Sequence, residues 1–409
     1  MITGAASREA DQPAFATDVS LDEKLIRRAR ELIPTLRARE RAAIEAGQVP
    51  AETIEDFREA GFFRVLQPAR YGGYELSPRT YCEIARTLAE GCMSSAWVYA
   101  VIAVHNWQMA LFPEQAAQDV WGQDPDTRIS SSYMPVGKVK RVSGGYRLSG
   151  RWAFSSGSAH CQWVILGAVV PAQADGQGGA AEPRNFLLPR SDYRIVPNWD
   201  VMGLRATGSN DIVVEDAFVP EHRTLCELDM FNLQCPGNPD HPAGLYRIPF
   251  AQIFNRTVST TSLGTLKRAL DTFVEATREK RATYTGERLA RDTTIQFAVA
   301  EVERILDEQT LVLDRDAREL LQHARDNTWT LERRAALGAS TTTTVSRCVR
   351  AIDTLMEFSG AKALFRGNVI QQAFLDIHCA RAHVANNPYP YGRNLGAVRF
   401  GFPNESSDI

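Results

Sequence analysis

At 409 residues the chain exceeds one ordinary domain and can bury a large core, so two or three packed sub-domains are expected. Hydrophobic residues at 44% and charged residues at 23% are ordinary globular values, which exclude a disordered chain and a fibre. With 46 basic against 49 acidic residues the formal net charge is −3, which leaves no basic field for nucleic acid as a partner.

The opening MITGAASREADQPAFATDVS has neither a cationic start nor an apolar centre, so residues 1–21 read as a flexible tail and not as a signal or transit peptide. No run approaches the roughly 18 apolar residues of a membrane span, so no membrane partner is expected. The seven cysteines are scattered and never form Cys-x-x-Cys. Reduced thiols in a cytoplasmic protein, and no metal cluster, are the expectation.

Residues 22–124 read as an α-helical domain. Leu25, Ile26, Ala29, Leu32 and Ile33 recur at three- and four-residue steps in a helix from Asp22 to about Ala46. A second helix opens at Pro50-Ala51-Glu52-Thr53 and ends near Gly61; Phe62 to Pro68 and Tyr71-Gly72-Gly73 form a short extended piece closed by a glycine turn. Pro78 starts a helix through Ala89. The next, Ser94 to Leu111, carries Trp97, His105, Trp107 and Met109 and is apolar on most faces, hence buried.

Residues 125–228 are rich in short β-type runs, among them Arg128–Tyr133, Gly137–Val142, Gly145–Leu148, Asn185–Leu188, Tyr193–Val196 and Asp211–Val214. Glycines and polar turns separate them, so a β-sandwich or barrel of roughly 100 residues is expected. Ala172 to Pro183 reads as a surface hairpin tip. Within the domain, Arg151 to Trp163 followed by Val164–Val170 reads as strand, polar turn, strand. Small hydroxyl side chains between aromatic ones suit the polar edge and the face of a flat ring, a flavin-like shape. A serine-rich hairpin whose hydroxyls bond their own turn is the alternative. Ser130 and Ser132 should face away from Ser131, because side chains alternate along a strand.

Residues 229–409 return to helical texture after a Pro- and Gly-rich loop from Asn232 to Leu245. Helices over about 250–285, 293–322, 326–356 and 361–385 suit a long four-helix bundle. The fold class is α+β, mainly α: helical domain, β domain, helical bundle.

Six segments in register carry a resemblance. They are Gly61–Arg64 with Leu66-Gln67-Pro68 and Tyr71-Gly72-Gly73; Val104-His105-Asn106-Trp107; Ile129–Tyr133; Trp152–Trp163; Val201–Asn210; and Arg381–Pro388. Together, over about residues 22 to 403, the chain resembles the acyl-CoA dehydrogenase superfamily and, within it, the oxygenase components of two-component flavin-dependent aromatic monooxygenases. That resemblance implies a homotetramer that takes FMNH2 or FADH2 from a separate NAD(P)H-dependent flavin reductase. With O2 it would form a C4a-hydroperoxyflavin and hydroxylate a small phenolic substrate ortho to its hydroxyl. Ser156 falls where the family places a hydroxyl beside flavin N5, with Trp152 and Ser155 as cofactor contacts. His105, Ser131 and His383 match positions lining the substrate pocket. Arg281 matches a basic position that pairs with flavin phosphate, often across a subunit boundary.

The chemistry wants those residue types. Oxygen transfer from flavin needs a dry, enclosed site. A hydroxyl near N5 slows the proton loss that releases peroxide, and a base near the phenol favours phenolate, for which histidine is suited near neutral pH. His105 is the first choice for that base, with Ser131 sharing the hydroxyl; His383 is the alternative, or steers the oxygen. Bland readings stand beside these: His105 as a hydrogen-bonded core histidine, and His383 with Arg381 and His378 as charge at a helix C-terminus. His160 reads as a turn residue, and Thr207 and Ser209 equally as turn residues or ligand contacts. Gly203 to Gly208 is no Gly-x-Gly-x-x-Gly, so NADH oxidation belongs on another protein.

The rival readings are an acyl-CoA dehydrogenase, against which the lack of an acid in Ala385–Tyr391 counts although Glu357 or Asp376 could in principle serve as its α-proton base; an N- or S-oxygenase; and a non-catalytic helical scaffold.

Overall fold

A computed structural model describes residues 19–172, 181–240 and 244–404. Nearly all of the expected N-terminal tail, and most of the hairpin tip between Ala172 and Pro183, lie outside the described residues.

Helix α1 (Leu21–Ala46) starts at a capping box: Ser20 accepts from the Glu23 amide, and the Glu23 carboxylate accepts from the Ser20 amide. It stops at Gly47, whose φ of 66° ends the helix without Cβ strain. Helices α2 (Ala51–Glu59), α3 (Pro78–Ala89), α4 (Met93–Met109) and α5 (Glu114–Trp121) follow. Every residue of α4 is buried, as its all-round apolar sequence requires. It packs on α3, on the first strand and on the first long C-terminal helix, and so forms the centre on which the three parts meet.

The β region holds β1 (Ile129–Val142), β2 (Gly145–Ser155), β3 (Trp163–Val170), β4 (Glu182–Pro189), β5 (Arg194–Val196), β6 (Asn210–Pro220) and β7 (Thr224–Cys226), in spatial order β5-β6-β2-β1-β3-β4-β7. The runs Arg128–Tyr133 and Gly137–Val142, expected as two strands, are one. The first half of β1 pairs parallel with β3, from Ile129 opposite Trp163 to Ser132 opposite Leu166. Its second half pairs antiparallel with β2, from Lys138 opposite Ser149 to Val142 opposite Gly145. A register shift between Ser132 and Gly137 lets one strand change partners, a device by which sheets turn corners. The expected sandwich or barrel is thus one seven-stranded sheet whose halves share a core of Leu148, Trp152, Leu166, Phe186, Ile212 and Val219. It does not close into a barrel, since β5 and β7 end the order.

Helices α6 (Glu227–Asn232), α7 (Phe250–Arg278), α8 (Thr293–Asp326), α9 (Leu331–Ser359), α10 (Val369–Arg381) and α11 (Pro388–Arg399) complete the chain. Helix α7 ends at Arg278, seven residues before the expected 285, because the backbone turns into a bridge between Arg281 and Arg288. Helix α10 begins at an Asn368 cap after a short 3-10 turn over Ala361–Leu364, later than the expected 361. All seven cysteines are free thiols.

Candidate active site

Ser156 follows the last residue of β2, and Gly157 fixes where it lands. Gly157 has φ of 67°, and a Cβ there would stand 2.9 Å from Val98 Cγ1 on α4, so only glycine lets the turn press onto that helix. The close approach brings Ser156 to Trp97. The indole Nε1 donates to Ser156 Oγ at 3.2 Å. Behind Ser156 a chain of hydroxyls runs to Ser209 Oγ at 2.7 Å, from there to Thr207 Oγ1 at 2.7 Å, and on to the Leu204 carbonyl at 2.9 Å.

Trp97 also meets His383, ring edge to face, with centroids 5.8 Å apart. His383 sits in the turn between α10 and α11, and its Nδ1 accepts the Ala385 amide at 3.1 Å. In the neutral ring the proton is then on Nε2, which is a donor. Burial pushes the His383 pKa down to about 4, so the ring is neutral at ordinary pH. His383 packs on Phe254 of α7 at 6.2 Å, and Phe254 on Tyr133 of β1 at 5.3 Å.

Tyr133 continues the wall to the other candidates. Its ring stands edge to face with His105 at 6.1 Å and with Phe250 at 5.3 Å. Its hydroxyl donates to Gln108 Oε1 and interacts with the Ser131 hydroxyl, and burial pushes the phenol well above its usual range. His105 is closed to solvent. Its Nδ1 lies 2.8 Å from the Ile129 carbonyl, which can only accept, so Nδ1 carries the proton. Nε2 is left as a buried acceptor with no partner among the described residues. Burial pushes the His105 pKa down to about 4. The two histidines therefore present opposite faces, an acceptor at His105 Nε2 and a donor at His383 Nε2.

His105, Ser131, Ser156 and His383 are thus joined through Trp97, Phe254 and Tyr133, where α4, the β domain, α7 and the turn after α10 converge. Sequence reasoning picked out none of those three aromatics for chemistry. The available signals were weak: Trp97, Val101 and His105 step down α4 at four-residue intervals, and Tyr133 shares a strand face with Ser131. The expected alternation is visible beside it, where Ser132 Oγ turns away to the Ala153 carbonyl at 2.7 Å.

The cofactor candidates divide. Trp152 lies wholly inside the sheet core, its Nε1 donating to the Gly167 carbonyl at 2.8 Å, so this indole supports the strand and covers no ligand. The exposed aromatic of β2 is Phe154, at φ of 68° and 62% exposed, beside Trp199. Ser155 is fully buried with its Oγ unpartnered. Arg281 is exposed on the hairpin after α7 and donates to the Gly286 carbonyl at 2.7 Å. None of its recorded bonds reaches the other candidates.

Neither of the two carboxylates considered for acyl-CoA chemistry bonds to His105, Ser131, Ser156 or His383 among the described residues. A Cβ on Gly203 would stand 2.3 Å from the Leu375 carbonyl, so the Gly203–Leu204 turn lies directly on α10. There buried Asp376 accepts the Leu204 amide at 2.6 Å and the Gln372 amide at 2.9 Å, and burial pushes its pKa up to about 7. Glu357 is exposed on an outer groove with Asp353, Leu364 and Phe374.

The hydroxyls around Ser156 and the aromatic wall beside them fit the polar edge and the face of a flat heteroaromatic ring such as a flavin, and the lone acceptor at His105 stands at the Tyr133 end of that wall. Comparison with known proteins identifies the family. Residues 22–122 match the acyl-CoA dehydrogenase N-terminal domain, and residues 257–388 the acyl-CoA dehydrogenase C-terminal domain. The chain is similar to the flavin-dependent monooxygenase, oxygenase subunit HsaA, of Rhodococcus jostii (strain RHA1), at 39% identity over 376 residues, spanning 91% of this chain and 97% of that one. It is similar also to the FADH(2)-dependent resorcinol hydroxylase, oxygenase component, of Rhizobium sp. (strain MTP-10005), at 32% identity over 393 residues, 92% of this chain and 94% of that one. The crystal structure of 3-HSA hydroxylase from Rhodococcus sp. RHA1 superposes with a TM-score of 0.88 at 36% identity, covering 94% of this chain and 99% of that one. The chain therefore belongs to the oxygenase components of the flavin-dependent monooxygenases, built on the acyl-CoA dehydrogenase fold.

Proposed function

We propose that the chain hydroxylates a small phenolic substrate, ortho to its hydroxyl, with O2 and with reduced flavin delivered by a separate NAD(P)H-dependent reductase. The observation that carries this reading is the unpartnered acceptor at His105 Nε2, buried beside Ser131 and Tyr133. Reduced flavin, when bound, would supply the two electrons that activate O2, one atom of which goes to the substrate and the other to water. Everything else falls to the protein.

His105 Nε2 accepts the phenol O–H, and Ser131 donates to the same oxygen. Burial holds the His105 ring neutral, well below the near-neutral pKa expected of a free histidine, so Nε2 draws on the phenol proton as an acceptor without taking it outright, and the ring carbon ortho to the oxygen becomes electron-rich. The Nδ1–H to Ile129 bond holds the imidazole in the one tautomer that can do this. His383, whose Nδ1 is occupied as an acceptor, has an Nε2–H that would donate to the oxygen being transferred. Ser156 would hold flavin N5 through its hydroxyl. Phe250, Phe254 and Tyr133 keep water out, which strengthens each of these bonds and suppresses peroxide loss. Arg281, exposed on its hairpin, would be free to pair with flavin phosphate across a subunit boundary. A homotetramer is supported by the large apolar side chains left bare on one chain, among them Phe297, Phe365, Val384, Tyr389 and Phe400.

The name of the resorcinol hydroxylase relative supports a phenol as substrate. The test is reductase-coupled turnover on matched panels of phenols, thioethers and amines. Catechol-type products from the phenols are the expected result. Sulfoxides or N-oxides with the phenols untouched would replace the phenol reading with S- or N-oxygenation, in which His105 has no phenol to bind.

A further inference from the structure

The hydroxyls behind Ser156 have a direction. The Leu204 carbonyl can only accept, so the Thr207 hydroxyl spends its single hydrogen there, at 2.9 Å. Thr207 Oγ1 then accepts from Ser209 across 2.7 Å, and Ser209 Oγ accepts from Ser156 across 2.7 Å. At the other end Trp97 Nε1 can only donate, and it donates to Ser156 Oγ. Ser156 is left with its hydrogen committed and one lone pair free. The end of the chain is itself anchored: the Leu204 carbonyl also receives Trp199 Nε1 at 3.0 Å and the Thr207 amide at 3.1 Å, while Asp376 holds the Leu204 amide. Leu204 keeps φ of 54°, a costly value for a β-carbon residue, which shows how firmly the surroundings hold that peptide.

We infer that Thr207 and Ser209 are positioning residues which, through Ser156, make the site select reduced over oxidised flavin. The inference rests on the reading that Ser156 faces flavin N5. Reduced flavin carries a hydrogen on N5 and meets the free lone pair of Ser156 as a donor. Oxidised flavin offers a lone pair at N5, and Ser156 has no hydrogen to give it. The oxygenase then binds the form the reductase delivers and releases the form left at the end of turnover, without any residue moving.

Thr207→Val tests this at a distance. The variant keeps the side-chain shape and the Thr207 amide bond that closes the turn, but removes the acceptor for Ser209. The Ser209 hydrogen then turns toward Ser156, and the Ser156 hydrogen is released toward the site. Dissociation constants would be measured by anaerobic titration with dithionite-reduced FMN and, separately, with oxidised FMN, for the wild type, Thr207→Val, Thr207→Ser, Ser209→Ala and Ser156→Ala, with thermal unfolding to confirm the fold. For Thr207→Val and for Ser209→Ala the preference for reduced flavin should fall by about five- to tenfold, the worth of roughly one hydrogen bond gained or lost on each side. Thr207→Ser, which keeps the hydroxyl, should retain the wild-type ratio. A ratio unchanged in Thr207→Val and Ser209→Ala, but altered in Ser156→Ala, overturns the chain and leaves Ser156 at N5. A ratio unchanged in Ser156→Ala overturns the placement of Ser156 at N5, and the chain's role with it. Equal loss for both redox forms in Thr207→Val and Thr207→Ser alike would mean a purely structural role, and overturns the inference too.

Discussion

Replacing His105 by asparagine separates its two nitrogens. The asparagine amide places an N–H close to where Nδ1–H donates to the Ile129 carbonyl at 2.8 Å, and so keeps a bond worth about 1 kcal/mol. It has nothing at the position of Nε2. The lost ring atoms leave a small void in a fully buried site, which costs about 1 to 2 kcal/mol, tolerable for a folded domain. Removing a positioned proton acceptor slows the step it serves by about 10²- to 10⁴-fold. The assay is a single turnover of protein loaded with reduced flavin, mixed with O2 and a phenol, with hydroxylated product and hydrogen peroxide quantified separately. His105→Asn should bind reduced flavin within about threefold of wild type, since a base for the phenol adds no bond to the cofactor. Consumed flavin should appear as peroxide, with product formation down by at least about 10²-fold. Product at wild-type yield would refute the base role. Parallel loss of flavin binding and product would make His105 a core residue whose change disturbs the whole site.

The same variant reports on stability against pH. His105 has a pKa of about 4 in the fold against an ordinary 6.5, so between those values the unfolded chain takes a proton that the folded chain refuses. Its contribution is fully present above 6.5 and is lost as pH falls toward 4, about 3 kcal/mol across the window. Denaturant titrations should show a shallower loss between pH 6.5 and 4 in His105→Asn; identical slopes would mean His105 is not held neutral. Trp97→Phe keeps a ring against His383 but removes the donor to Ser156, and should weaken reduced-flavin binding by about fivefold, read by anaerobic titration, with more peroxide per turnover. Wild-type values for both would deny Trp97 a role in orienting Ser156. Gly157→Ala forces a β-carbon against Val98 at positive φ, and should lower unfolding free energy by at least about 1 kcal/mol in a denaturant series and displace Ser156 from Trp97. An unchanged midpoint would show that the turn is not pinned.

Local signals made much of the fold legible. Ser20 with Glu23 and Gly47 mark the two ends of α1, and the all-round apolar α4 is buried as its pattern requires. What sequence could not convey was pairing at a distance. That Ile129–Val142 is one strand serving both halves of the sheet follows from a register shift between Ser132 and Gly137, which no local propensity encodes. The site shows the same division. Four polar positions were recognisable by their motifs, but Trp97, Phe254 and Tyr133 look like ordinary core aromatics until the fold sets them between His105 and Ser156. Trp152 is the converse case: its place beside a serine-rich turn suggested a ligand contact, and the alternation of the strand turns it inward to Gly167. Thr207 and Ser209 read equally as turn residues or ligand contacts, in a segment apart from Ser156, and only the approach of β6 to the end of β2 joins the three into one directed chain.

The central claim is that this chain transfers one atom of O2 to a phenol by way of reduced flavin and His105. Its most direct test is a single turnover under 18O2: protein loaded anaerobically with FMNH2 or FADH2, mixed with labelled oxygen and simple phenols, and the products analysed by mass. One labelled oxygen in an ortho-hydroxylated product from the wild type, with His105→Asn yielding peroxide instead, is the predicted result. Flavin reoxidation that yields peroxide alone with every phenol, or product made equally well by His105→Asn, would contradict it.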